Sequence, residues 1–187
     1  MILCSLDLSL SDSGMCIFSN DELLLSESIK SSRRDDSIKG RYDRYFEIKD
    51  NIAYFLNNYD YFDVIAIERQ SFGSKGHLTD LAESKAIILN FLLNKYDDAK
   101  YFEISPMTLK SFILNGDKIP RGTKSDIAKE IIMNKCNQVY NTFFDNNNIA
   151  DAYILGKYVL KNIDNLKEST IKVKKKRKKK KDNKWKK

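Results

Sequence analysis

Ile2-Leu-Cys-Ser-Leu-Asp-Leu-Ser-Leu10 is an apolar run interrupted by one acid, Asp7; Ser11-Asp-Ser-Gly14 and then Met15-Cys-Ile-Phe18 follow it. This stretch decides the fold. The first run predicts a strand, Ser11–Gly14 its turn, and Met15–Phe18 the antiparallel partner. Glu22–Ile29 adds a third strand, so the chain opens on a meander. Beyond it the period changes. Tyr45, Ile48, Ile52, Phe55 and Leu56 recur at helical spacing and predict a helix over Ser37–Asn57. Val64-Ile-Ala-Ile67 is short, apolar and β-branched, as expected of a central strand buried on both faces. Leu78–Leu93 is again helical, with Leu78, Leu81, Ala82, Ala86, Leu89 and Leu93 on a face that is either core or a dimer surface. Tyr101–Ile104 predicts a strand and Thr108–Leu114 a short helix. A helix capped by Ser125 should run to about Asn134, and Asn148–Leu160 should form the last. A meander followed by alternating βα units predicts an α/β mixed sheet with helices on both sides.

The chain has 187 residues, 42% of them hydrophobic, enough for one domain with a real core and too many for general disorder. Two prolines and seven glycines exclude collagen-like and linker-dominated chains. Cys4, Cys16 and Cys136 are widely spaced, which excludes a disulfide scaffold and suits a reducing compartment; Cys4 and Cys16 read as small core residues. Met1-Ile-Leu-Cys4 leads straight to Ser5 and Asp7 without a basic or long apolar leader. That predicts a soluble, intracellular protein with no membrane partner.

The formal charge of +7 is unevenly spread. Leu166–Lys187 holds 13 Lys/Arg and two acids, a net of +11, against 20 Lys/Arg and 24 acids (net −4) in residues 1–165. The expected division is therefore a domain over 1–165 and a disordered lysine-rich tail over 166–187. Such a tail is suited to recruiting DNA or RNA, doubles as a nuclear-localisation patch, and carries Trp185 as a base-stacking candidate.

Three acids stand where a core should be. Asp7 breaks an apolar strand, Glu68 ends Val64–Ile67, and Asp151 sits in the first turn of Ile149-Ala-Asp-Ala-Tyr-Ile-Leu155. Singly, they could start a turn, end a strand, or favour a helix dipole. Together, at the ends of neighbouring buried elements, they would repel one another unless a cation neutralised them. Oxygen ligands without nearby histidine or cysteine suit Mg²⁺ or Mn²⁺. Two such ions support phosphodiester hydrolysis.

Leu6-Asp-Leu-Ser-Leu-Ser-Asp-Ser-Gly14, Ala66-Ile-Glu-Arg69 and Ile149-Ala-Asp-Ala152 resemble, in order and spacing, the acidic motifs of RuvC-type Holliday-junction resolvases. The resemblance spans roughly Ile2 to Val159, and short phage and poxvirus resolvases with lysine-rich tails are similar in size. It implies the ribonuclease H-like fold, a homodimer, a bacterial cytoplasm or a viral replication compartment in a host cell, with nuclear localisation through the tail also open, and paired symmetric nicking of four-way DNA junctions. It also implies that Asp7, Glu68 and Asp151 are catalytic acids binding two Mg²⁺ or Mn²⁺ ions. Where the family usually places a fourth acid or histidine, this chain has Asn148. That residue either ligates through its carbonyl oxygen or caps the helix, with Asp145 able to replace the missing charge.

The resemblance further implies DNA contacts from Arg69-Gln-Ser-Phe-Gly-Ser-Lys75, with Arg69 and Lys75 on phosphate and Phe72 stacking at the crossover. Ser105-Pro-Met-Thr-Leu-Lys110 and the loop Asn115–Lys124 are similar to the family's basic segment, making Lys110, Lys118, Arg121 and Lys124 phosphate contacts. His77 reads as structural or solvent-facing. Two other readings stay open: another ribonuclease H-like nuclease, and a non-catalytic DNA-binding protein with a degenerate site.

Overall fold

The computed structural model describes residues 1–32, 35–70 and 78–167. Five strands form one sheet: β1 (Ile2–Asp7), β2 (Asp12–Ser19), β3 (Glu22–Lys30), β4 (Val64–Glu68) and β5 (Lys100–Ile104), in the order β3-β2-β1-β4-β5. The meander β1–β3 is antiparallel, while β4 and β5 join parallel to β1. Between and after them run α1 (Ile38–Leu56), α2 (Leu78–Lys95), α3 (Pro106–Leu114), α4 (Ser125–Tyr140) and α5 (Asn147–Asn162). The α/β mixed sheet expected from the sequence is present. Its middle strand is β1, with β4 interior beside it. Among the described residues no helix is long and apolar enough to cross a membrane.

The first turn lies earlier than the composition of Ser11–Gly14 suggests. β1 stops at Asp7 because Ser9 closes the turn: its hydroxyl donates to the Asp12 carbonyl at 2.9 Å and accepts from the Asp12 N–H at 3.1 Å. Ser13 returns a hydroxyl bond to the Ser9 carbonyl at 3.0 Å. Asp12-Ser-Gly14 are thereby released into β2, where Gly14 stands opposite Asp7.

Strand alternation splits the core into two layers. Leu3, Cys16, Phe18, Val64 and Ala66 face α3, α4 and α5. Cys4, Leu6, Met15, Ile17, Ile65 and Ile67 face α1 and α2. Helix boundaries follow local chemistry. Ser37 caps α1 by accepting from the Gly40 N–H, and Ser105 caps α3 with Pro106 following it, one turn earlier than Thr108. At α4 the cap position belongs to Lys124 rather than Ser125, with no side-chain cap bond, and the helix runs on to Tyr140. At α5 the cap is Asn146, not Asn148: the Asn146 side chain accepts from the N–H groups of Asn148 and Ile149.

α2 departs most from its sequence pattern. Its buried residues are Ser84, Lys85, Ile88 and Leu92. The leucine–alanine stripe is turned aside, and Leu78, Ala82, Ala86 and Leu89 line a groove of about 680 Å³. Lys85 can lie beneath the helix because Glu103 on β5 neutralises it at 2.6 Å.

Candidate active site at the carboxyl ends of β1 and β4

In β1, Leu3 and Ser5 point toward α5, so the period of two sends Asp7 the same way. In β4, Val64 and Ala66 do so, which carries Glu68 along. The parallel register pairs Ser5 with Ala66 and Leu6 with Ile67, so Asp7 and Glu68 end adjacent strands on one face. The third acid arrives from above. α5 approaches the sheet closely because the residues beneath it are small: Ser5 donates its hydroxyl to the Ala152 carbonyl at 2.7 Å. A Cβ on Gly14 would stand 1.8 Å from the Asn148 carbonyl oxygen.

The start of α5 is fixed by a further polar chain. Asp12 accepts from Ser28 at 2.5 Å and from the Asn146 amide at 3.0 Å. The other end of that amide, the Asn146 side-chain oxygen, accepts from the Asn148 N–H at 2.8 Å. β2 and β3 thus hold the cap that launches the helix carrying Asn148 and Asp151.

Asp7, Ser9, Glu68, Asn148 and Asp151 line one cavity of about 310 Å³. Pro106, Leu109 and Lys110 of α3 form a second wall, and Ser125, Lys129 and Ile132, one face of α4, form the third. The carboxyls are strongly perturbed. Burial is the first cause for each, and it holds Asp7 and Glu68 well above the usual carboxylate range, with Asp151 repelling both. Asp151 is raised to about 6. Lys129 opposes the shift at all three acids, and Lys110 does so at Glu68 and Asp151.

No three His, Cys, Asp or Glu side chains among the described residues are gathered closely enough to clasp an ion as they stand. Asp7, Glu68 and Asp151 share the cavity with their charges apart. Its donors are carboxylate and amide oxygens without nitrogen or sulfur, a chemistry that fits a hard divalent ion better than zinc.

The sequence-derived residues fall in different places. Asp7, Glu68, Asp151, Asn148 and Lys110 share the cavity. Arg69 is exposed beside it in sequence and lines the groove under α2 instead. Lys118, Arg121 and Lys124 are exposed on the α3–α4 connection and at the start of α4. Asp145 is exposed and does not line the cavity. Phe72, Lys75, His77 and Trp185 lie outside the described residues. Lys129 was not singled out from the sequence. Its signal was the helical spacing Ser125, Lys129, Ile132, which places it on the face leading to an inward-facing isoleucine.

No protein-family model matches the chain, and no curated protein sequence does. Solved structures do. RuvC of Thermus thermophilus in complex with a Holliday junction substrate is 16% identical with a TM-score of 0.57, covering 83% of this chain and 90% of that one. A second Thermus thermophilus RuvC structure is 14% identical with a TM-score of 0.62 over the same shares. The yeast mitochondrial Holliday junction resolvase Ydc2 is 14% identical with a TM-score of 0.53, covering 84% of this chain and 77% of that one. The likeness is one of fold: the mixed sheet is the ribonuclease H-like arrangement of these neighbours.

Proposed function

We propose that the chain is a divalent-metal-dependent endodeoxyribonuclease that resolves four-way DNA junctions by paired symmetric nicks. One observation carries this reading: three carboxylates from β1, β4 and α5 line a single cavity together with lysines from α3 and α4. A structural neighbour bound to a Holliday junction supports the choice of substrate.

Asp7, Glu68 and Asp151 are the residues that would hold Mg²⁺ or Mn²⁺, with Asn148 adding a neutral oxygen. Two ions would supply Lewis acidity at the phosphorus and the leaving 3′-oxygen. The chain's own contribution is position. The strand ends fix two acids on the cavity floor, the capped helix sets the third, and Lys110 holds the DNA backbone from α3. Arg69, Phe72, Lys75, Lys118, Arg121 and Lys124 extend the DNA surface outward in this reading, and residues 166–187 form a basic tail that concentrates the domain on DNA. The groove formed by Leu78, Ala82, Ala86 and Leu89 supports a homodimer in which two sites act on opposed strands.

The test is incubation of the full chain with a synthetic four-way junction, a linear duplex and an RNA–DNA hybrid, each with Mg²⁺ or Mn²⁺. Symmetric nicks in the junction are expected. Preferential cutting of the hybrid would replace this reading by another ribonuclease H-like nuclease, and binding without cutting would replace it by a DNA-binding role.

A further inference from the structure

Lys129 faces the acid cavity from α4, yet no described carboxylate lies within ion-pair distance of it. Lys129 is exposed at the mouth of the cavity it lines, and three more buried lysines differ from it. Lys85 is held by Glu103, Lys135 by Asp117 and Lys157 by Asp21, each through a contact of 2.6–2.8 Å. Lys129 instead belongs to the face Ser125–Lys129–Ile132, where Ile132 is 4% exposed and anchors the helix against the core. This fixes the direction in which the lysine projects, while its ammonium stays uncommitted. Lys110 on α3 lines the same cavity, so two cations from different helices border the same opening as three acids.

An exposed, flexible ammonium that lines the acid cavity without closing on a carboxylate is no structural tie. It is suited to an anion that enters the cavity. We propose that Lys129 is a catalytic residue that contacts the scissile phosphate from the α4 wall of the cavity. This inference rests on the nuclease reading above. In it, the acids organise cations beneath the phosphate and Lys129 meets the non-bridging oxygens from above, where negative charge grows as the phosphodiester is attacked. No proton transfer is assigned to it: the ammonium remains charged throughout.

The experiment compares wild type, Lys129→Met and Lys129→Arg as full-length chains. Single-turnover cleavage of a synthetic four-way junction with Mg²⁺ is measured at saturating enzyme, and junction affinity is measured with Ca²⁺. A third measurement titrates Mn²⁺ alone, without DNA. Lys129→Met should slow cleavage about 100- to 1,000-fold, the scale of losing one charge-stabilising donor. Junction affinity should change no more than about threefold, because one phosphate contact is a small part of a large electrostatic footprint. Mn²⁺ affinity should rise, because a competing positive charge has left the acids. Lys129→Arg should recover part of the rate. A Lys129→Met rate within twofold of a cleaving wild type overturns the proposal and leaves the nuclease reading intact. So does a lower rate with weaker Mn²⁺ binding, which would make Lys129 a support for the acids. A wild type that cuts no DNA with either metal overturns both.

Discussion

The two faces of the sheet are packed by the same rule and used differently. On one, α1 and α2 cover Cys4, Leu6, Ile65 and Ile67 with large aliphatic side chains and contribute no side chain to the acid cavity. On the other, α3, α4 and α5 cover the alternate residues of the same strands, and each gives the cavity at least one polar group. The difference lies in residue size. Beneath α5 stand Ser5, Gly14 and Ala66, which bring the helix backbone down to the strand ends. Beneath α1 and α2 stand side chains that hold helices at an ordinary distance. A cavity-bearing layer and a scaffold layer thus arise from one alternating pattern, by making the inward residues nearest the acid-bearing strand ends small.

The largest expected effect tests the cavity-bearing layer directly. Asp7→Asn should reduce junction cleavage by more than about 100-fold, beyond the loss typical of an outer-shell partner. The metal-free melting temperature should hold or rise, since a repelling buried charge has gone. A folded variant with near-normal cleavage would remove Asp7 from the site. Next is Gly14→Ala, whose Cβ meets the Asn148 carbonyl and the Ile149 nitrogen at 1.8 and 2.9 Å. Displacing the start of α5 should cost about 1–3 kcal/mol in denaturant unfolding and lower cleavage strongly. On the scaffold layer, Ile88→Val should cost about 1 kcal/mol and leave cleavage alone. Similar cleavage by the two variants would erase the distinction between the faces.

Lys85 is where the comparison is expected to blur. It belongs to the scaffold helix, but its ammonium also reaches the Glu68 backbone carbonyl at 3.4 Å. Lys85→Met should destabilise the domain by about 1–3 kcal/mol and slow cleavage by roughly tenfold. Equal stability loss with unchanged cleavage would show that Glu68 is held by its strand alone.

A smaller effect concerns pH. The three carboxyls have folded-state pKa values above their unfolded ones. Their stabilisation is therefore complete below the unfolded value of about 4 and is lost as pH rises, through about 6 for Asp151 and higher for the other two. Melting of the metal-free protein should fall more steeply between pH 5 and 8 in wild type than in Asp7→Asn. Parallel curves would mean that the acids are not stressed by folding.

Much of this was legible from residues alone, for reasons that differ by element. Acids ending apolar strands stand out because a buried carboxylate is costly, so Asp7 and Glu68 could be read directly. The helix α1 was legible from its spacing and its Ser37 cap. α2 was legible as a helix but not in its facing, because one apolar stripe is easier to see than a buried lysine whose partner, Glu103, lies on another element. The run Asn146-Asn-Asn148 could not show which residue caps α5, since the choice depends on Asp12 and Ser28 across the sheet. Lys129 was hidden because a lysine on a charged helix reads as solvated until the tertiary fold shows what it faces.

The bond from Ser5 to the Ala152 carbonyl joins positions 147 residues apart. Asp7 and Glu68 precede, by many residues, the helix that supplies Asp151 and roofs the cavity. A chain in which α5 has not yet been made therefore has an open, two-acid site, and the nuclease proposed above would be held inactive toward its own message over that interval.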